Sequence, residues 1–329
     1  MNHKLSRGAS IIVERWLQIR EGESLFIVTN DNHLEEMKAV KHCAEEKGAT
    51  VALMSFPKEM KWVSRYFDEN ESCFDNYQVI LGATTHSLVT TKAVKRAIER
   101  GMRFLSLPLA MNSERSMLEL EFLNMNPEKS KAMAYQLLAR LADAEVVHVT
   151  TEKGTDMEFQ KKNRRAQYFT GATKDGNGYS SSSFEVFIPV EEDSTYGTAI
   201  VDASFGYLGI MDETVKLEFN HGKIVEIESN TAGRKLKEFI DQYEDERMLI
   251  ACELGIGLNE YAKCNGECYI EDESAYGTFH IGFGRNIAFG GKQEANGHFD
   301  LVFDKPDIYA DGVLIMEQGE IIWERIRTA

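Results

Sequence analysis

The chain has 329 residues, of which 43% are hydrophobic and 27% charged, and its formal net charge is -16 at pH 7. That charge excludes the usual nucleic-acid binder, which needs a basic surface for phosphates, and no run approaches the roughly 20 apolar residues of a membrane helix. A chain of this length favours two domains, and five cysteines, an odd number, favour reduced thiols in a cytoplasmic protein.

The first 144 residues alternate helical and strand patterns. Apolar residues at helical spacing cover Leu5 to Arg20, and short apolar runs predict strands at 24–29, 50–56, 77–82 and 103–109. Helices are predicted up to Glu46, over 89–100, and from Pro127 to about residue 144. Such alternation predicts an α/β domain, 1–144, in which a parallel sheet carries helices on its faces.

Loops at the carboxyl ends of parallel strands often bind ligands. His86 lies in such a predicted loop, within Thr84–Ser87, and is a candidate catalytic base or substrate contact. The alternative is an ordinary surface histidine. No glycine-rich phosphate-binding motif follows the first strand, so a nucleotide cofactor is not expected.

From residue 145 onward the chain changes to short strands and turns. Strands are predicted at 146–150, 156–160, 185–190, 197–203, 215–219 and 224–228, with one helix at 232–243 and a polar loop from 174 through the serines that follow Tyr179. This pattern predicts a second domain, 145–329, that is β-rich and largely antiparallel or barrel-like.

Residue types that bind metals concentrate between residues 251 and 300. In His298-Phe299-Asp300, residues two apart share one face if the segment is a strand. His280 has the same alternating neighbourhood, and Glu253 lies in an apolar run where a carboxylate is costly to bury unless it is paired or metal-bound. Imidazole and carboxylate suit zinc, manganese or non-haem iron. We predict a metal site from Glu253, His280, His298 and Asp300; the alternatives are half-buried strand histidines and a hydrogen-bonded His–Asp pair.

The second half resembles the thermophilic aminopeptidase family (aminopeptidases T and S). The resemblance rests on the Glu-Val-Phe stretch within 184–190, the Glu-Leu pair at Glu253, an Asp-Glu pair ending at Glu273, and the His-x-Asp of 298–300. Two positions depart from that family: Glu273 lies seven residues before His280 instead of five, and Ile287 stands where the family has a tyrosine.

The resemblance implies a dimeric, cytoplasmic, metal-dependent aminopeptidase that removes N-terminal residues from peptides. It implies that Glu253, His280, His298 and Asp300 bind divalent zinc, cobalt or manganese, and that Glu253 or Glu273 manages the proton. The aminopeptidase-like hydrolase is the first hypothesis.

A shorter relative with a similar second half is 2,5-dihydroxypyridine 5,6-dioxygenase, and this resemblance gives the second hypothesis. It implies a mononuclear Fe(II) site from His280, His298 and Asp300, with His86 as proton acceptor and a ring-cleaving reaction on a small molecule. The third hypothesis is a non-catalytic protein that binds a metal or a small molecule.

Overall fold

The computed structural model describes residues 3–60, 63–173 and 178–323. The chain forms two compact units. Unit 1 comprises Met1–Pro127, Phe169–Phe184 and Cys268–Ile270, and unit 2 comprises Glu128–Tyr168, Glu185–Glu267 and Glu271–Ala329. The chain therefore returns to unit 1 twice after leaving it, and a single division at residue 144 stays a prediction.

The helices, in chain order, are α1 (His3–Ile11), α2 (Leu34–Glu46), α3 (Val63–Glu69), α4 (Lys92–Glu99), α5 (Pro127–Leu141), α6 (Thr231–Asp241) and α7 (Tyr269–Ser274). The first nine strands are β1 (Ser24–Asn30), β2 (Thr50–Phe56), β3 (Val79–Ala83), β4 (Arg103–Ser106), β5 (Val146–Thr150), β6 (Asp156–Gln160), β7 (Gln167–Thr170), β8 (Tyr179–Ser181) and β9 (Phe184–Pro189). The remaining strands are β10 (Tyr196–Val201), β11 (Val215–Asn220), β12 (Lys223–Ile227), β13 (Ala251–Gly257), β14 (Thr278–Gly284), β15 (His298–Asp304), β16 (Asp307–Ala310), β17 (Val313–Glu317) and β18 (Glu320–Ile321).

Unit 1 contains a five-stranded sheet in the order β2-β1-β3-β4-β8. All four neighbouring pairs are parallel. The apolar runs of β1 and β3 are buried almost throughout, as expected for strands covered on both faces. The predicted parallel sheet with helices is confirmed.

The fifth strand of that sheet corrects one sequence-based expectation. Tyr179–Ser181 lies in the stretch predicted to be a polar loop, yet it pairs in parallel with Phe104–Ser106 of β4. Residues 174–177 of the predicted loop lie outside the described residues. The serines carry no apolar pattern, so pairing with β4 and burial of their small side chains decide the structure.

Unit 2 is built from antiparallel sheet. One sheet has the order β12-β11-β10-β6-β5-β16-β17-β18, and a second places β15, β14, β13 and β9 side by side. Every registered pair within these sets is antiparallel. The mixed α/β fold, with one parallel sheet and further antiparallel sheets, is thereby confirmed. Within 3–60, 63–173 and 178–323, no helix has the length and apolar character needed to cross a membrane.

Candidate metal centre

Five side chains of metal-binding type lie on one face of the second sheet of unit 2. They come from four neighbouring strands: Glu185 from β9, Glu253 from β13, His280 from β14, and His298 and Asp300 from β15. Because side chains alternate along a strand, residues two apart on each strand share this face. The pairing register places Glu253 and Asp300 on either side of Gly282. The sheet therefore brings together carboxylates and imidazoles that are far apart in sequence.

Glycines provide the room for this convergence. In the register, His280 pairs with Gly255, and Glu185 pairs with Gly257. A Cβ atom on Gly282 would lie 2.8 Å from Asp300 Oδ1, and one on Gly255 would overlap the His280 ring. These glycines thus open a buried face for large polar side chains.

The first group of possible ligands is Glu253, His298 and Asp300. His298 Nε2 lies 3.2 Å from Glu253 Oε2 and 3.3 Å from Asp300 Oδ1, and one ligand atom from each residue falls within 4.8 Å of the others. On the other side of the ring, His298 Nδ1 lies 3.0 Å from the carbonyl oxygen of Arg285 and donates to it. That bond directs Nε2 at the two carboxylates, which is the usual arrangement of a metal-binding histidine.

The second group is Glu185, Glu253 and His280, and it shares Glu253 with the first. His280 Nε2 lies 2.9 Å from Glu185 Oε2. Burial lowers the pKa of His280, but the hydrogen bond to Glu185 and nearby carboxylates outweigh burial and raise that pKa to about 9. Among the described residues, His280 Nδ1 is buried without a hydrogen-bond partner.

The electrostatics of the cluster favour a bound cation. Burial raises the pKa of Glu253, with further contributions from Glu185 and Asp300. Burial opposes the charged form of His298 as well, but Asp300 and Glu253 raise its pKa well above the usual value. Three carboxylates in so small a buried space repel each other, and a divalent ion relieves that repulsion. The oxygen and imidazole donors and the glycine-lined space fit such an ion.

Two predicted site residues lie outside both ligand groups. Glu273 is buried on α7. Burial raises its pKa well above the usual value, and repulsion from Asp300, Glu185 and Glu253 adds to this. In the described part of the chain, Glu273 supplies no atom to either ligand group. His86 is half-buried in unit 1, in the loop after β3.

Sequence reasoning missed Glu185 as a possible ligand. This residue lies in Phe-Glu-Val-Phe-Ile-Pro, an otherwise apolar strand that is buried throughout. The argument made for Glu253, that a carboxylate in an apolar run needs a partner, applies equally to Glu185 and would have found it.

The loop that follows β14 is fixed by a polar network around Glu192. Asn286 Nδ2 donates to Glu192 Oε1 at 3.0 Å and to the carbonyl of Cys252 at 3.1 Å. Arg164 and the amide of Lys292 also donate to Glu192. This loop begins at the residue whose carbonyl orients His298, so the network supports the cluster indirectly.

Comparison with known proteins places this chain in a family. A family model described as NicX, 2,5-dihydroxypyridine 5,6-dioxygenase, matches residues 15–323. The chain belongs to this family. A curated 2,5-dihydroxypyridine 5,6-dioxygenase from Pseudomonas putida is 24% identical over 208 residues, which span 59% of this chain and 59% of that relative.

Two solved structures share the fold. The 2,5-dihydroxypyridine dioxygenase of Pseudomonas putida KT2440 superposes with a TM-score of 0.81 at 18% identity, covering 99% of both chains. AmpT from Thermus thermophilus gives a TM-score of 0.69 at 15% identity, covering 97% of this chain and 99% of that one. Identities this low show a common fold alone.

The first hypothesis, an aminopeptidase-like hydrolase, is wrong. The family model that covers residues 15–323 is that of the dioxygenase. The error has a physical origin, because carboxylate and imidazole donors on one sheet face serve hydrolytic and oxidative metal chemistry alike. Two departures pointed away from the peptidase: the spacing of Glu273 from His280, and Ile287, which places an apolar side chain where the aminopeptidase family carries a tyrosine hydroxyl.

Proposed function

We propose that this protein is an iron-dependent ring-opening dioxygenase that acts on 2,5-dihydroxypyridine or a closely related dihydroxylated nitrogen heterocycle. The observation that carries the proposal is the family match over residues 15–323. The buried cluster of carboxylates and imidazoles on the antiparallel sheet supports it independently, since those donors suit non-haem Fe(II).

The proposed ligands are Glu253, His298 and Asp300. His280 is a further candidate ligand, because it belongs to the second group, which also contains Glu253. When bound, ferrous iron supplies the redox chemistry that lets dioxygen react with an electron-rich hydroxylated ring. Two carboxylates and one imidazole leave coordination positions open for small molecules. Glu185 is a further candidate metal ligand, because its carboxylate is paired with His280.

The residues that we propose transfer protons lie beside the metal ligands or at the end of a strand. A hydroxylated ring must lose a proton before it is oxidised, and a neutral imidazole accepts a proton near pH 7. His86, after the carboxyl end of a parallel strand, is the proposed proton acceptor. Glu273, which interacts electrostatically with Asp300 and Glu185, is the proposed carboxyl group for proton transfer. A homodimeric, cytoplasmic assembly stays a prediction.

Purified protein, stripped with EDTA and reloaded anaerobically with Fe(II), tests the function. We expect loss of the 2,5-dihydroxypyridine absorbance with one dioxygen consumed per ring. Zinc-loaded protein should be inactive, because zinc has no redox chemistry. Leucine p-nitroanilide should not be cleaved.

A matched pair of histidine variants locates the activity. His298→Ala should lose iron and ring cleavage, whereas His148→Ala should keep both, since His148 is half-buried on β5, away from the cluster, and pairs with Asp156. Equal activity in the two variants would show that the metal centre lies elsewhere. If iron binds at full occupancy but no dihydroxypyridine is turned over, the remaining hypothesis is the non-catalytic protein that binds a metal or a small molecule.

A further inference from the structure

The strand that carries Glu253 contains one extra residue. Ala251 of β13 pairs with Phe283 of β14. Two residues later, Glu253 pairs with Gly282, which lies only one residue back along β14. Cys252 is therefore the extra residue of a β-bulge. Bulges are common beside active sites, where they redirect a side chain.

The extra residue decides which face of the sheet Glu253 occupies. If the register of Ala251 continued unchanged, Cys252 would lie opposite Gly282. Glu253 would then lie opposite Ile281, whose side chain points to the other face because side chains alternate along a strand. A slip of one residue turns a side chain to the other face, so the bulge places Glu253 on the face of the proposed ligands.

Asn286 holds this bulge from the loop that follows β14. Its side chain is fully buried, and Nδ2 donates to the carbonyl of Cys252 at 3.1 Å. Nδ2 also donates to Glu192 at 3.0 Å, and Oδ1 accepts from the amide of Gln293 at 3.0 Å. A Cβ atom on Gly291 would lie 2.0 Å from Asn286 Cγ, so the side chain packs directly on that glycine. These contacts leave the Asn286 amide little freedom, and its bond to Cys252 therefore fixes the bulge.

The bulge residue also lies against the ring of a proposed ligand. Cys252 is fully buried, and its Sγ lies 3.8 Å from His298 Nδ1. His298 Nδ1 donates to the carbonyl of Arg285, the residue before Asn286. Asn286 thus connects the backbone just before Glu253 with the carbonyl that orients His298.

We propose that Asn286 is a positioning residue of the metal centre, which holds the bulge at Cys252 and thereby directs the carboxylate of Glu253 at the ion. This role rests on the coordination by Glu253 proposed above. A role in packing alone would make Asn286 matter for stability and for nothing else. In a positioning role, its effect on metal affinity passes through Glu253, and a double-mutant cycle measures that dependence.

A Co(II) titration of EDTA-treated, full-length protein tests this role, with visible absorbance reporting the geometry around the ion. Asn286→Ala should weaken Co(II) binding at least about tenfold and alter the cobalt spectrum, because loss of a ligand's support typically costs about 10- to 100-fold in affinity. Glu253→Gln should weaken binding as well. In the Glu253→Gln background, Asn286→Ala should weaken binding by less than about a further threefold.

Asn230→Ala is the matched control. The Asn230 side chain likewise makes two hydrogen bonds to backbone groups of unit 2, at the start of α6. Its loss should leave the Co(II) affinity within about twofold and the spectrum unchanged, as expected for an independent site. If Asn286→Ala does not fold, Asn286→Asp replaces it, since an aspartate fills the same space and accepts from Gln293 but offers no N–H to Cys252.

The proposal is overturned if Asn286→Ala binds Co(II) like wild type, if it weakens binding equally with and without the Glu253 carboxylate, or if Asn230→Ala causes the same loss. Wild-type affinity in Glu253→Gln would also overturn it, because that carboxylate would then not be a ligand. The proposed function fails separately: iron-loaded wild type that cleaves no ring would refute the function even if every cobalt result is as expected.

Discussion

Replacing Gly282 with alanine tests the metal centre without removing any ligand. The added Cβ would lie 2.8 Å from Asp300 Oδ1 and 2.9 Å from His298 Cε1, and ordinary contact begins at 3.4 Å. The Asp300 oxygen must therefore move by about 0.6 Å (3.4 - 2.8) to relieve the contact, three times the roughly 0.2 Å that metal–ligand distances tolerate. We expect Gly282→Ala to weaken binding of Fe(II) or Co(II) by at least about 10- to 100-fold, as when the support of a ligand is lost.

Gly82→Ala is the matched control, because it adds the same methyl to a buried strand away from the ligands. Its Cβ would lie 2.9 Å from the ring of Phe104 in unit 1. Overpacking costs about 1–3 kcal/mol, and loss of glycine freedom in the unfolded chain returns about 0.4–1 kcal/mol, so both variants should lose about 1–2 kcal/mol of stability. Metal titration followed by cobalt absorbance, beside urea unfolding, measures both effects. Wild-type metal affinity in Gly282→Ala would refute the proposed coordination by Asp300 and His298.

Three further outcomes are expected. Burial raises the pKa of Glu192, but hydrogen bonds from Arg164, Lys292 and Asn286 outweigh burial and lower that pKa to about 2. The difference in urea stability between wild type and Glu192→Gln should therefore be full above about pH 4.5 and shrink as the pH falls toward 2. A stability difference that does not change with pH would contradict this cause. Asn286→Ala removes three side-chain hydrogen bonds and should cost about 1–3 kcal/mol in the same assay, against less than about 0.5 kcal/mol for the exposed Asn70→Ala. Co(II) at about 100 times its dissociation constant should raise the unfolding free energy of wild type by about 2.7 kcal/mol and leave Asp300→Asn unchanged; an equal rise in both would mean that the ion binds elsewhere.

The parallel sheet of unit 1 could be predicted because its strands carry their own signal. Runs such as Leu25–Val28 are apolar, short and bounded by polar residues, and burial on both faces requires that composition. Strand β8 could not be predicted in this way. Tyr179–Ser181 has no apolar pattern, and its pairing with Phe104–Ser106 joins segments about 75 residues apart in sequence (179 - 104). Tertiary pairing decides such a strand, and no local propensity reports it.

The metal centre likewise has one part that the sequence predicts and one part that it does not. His298 and Asp300 lie two residues apart on one strand, so their shared face follows from the period of the strand alone. Glu185 meets His280 only because β9 and β14 both pair with β13, and no sequence spacing gives the order of strands in a sheet. The ligand roles of these residues stay predictions until metal is measured.

Each side chain of the cluster lies opposite a glycine on a neighbouring strand. Glu185 faces Gly257, His280 faces Gly255, and Gly282 separates Glu253 from Asp300. Glycine in a strand interior weakens the strand because it has no side chain to pack and loses more entropy on folding. Four of the five carboxyl and imidazole groups on this face are buried, which is likewise costly without a counter-charge. Packing alone favours neither feature, and a divalent ion explains both, since it needs the space and neutralises the charge.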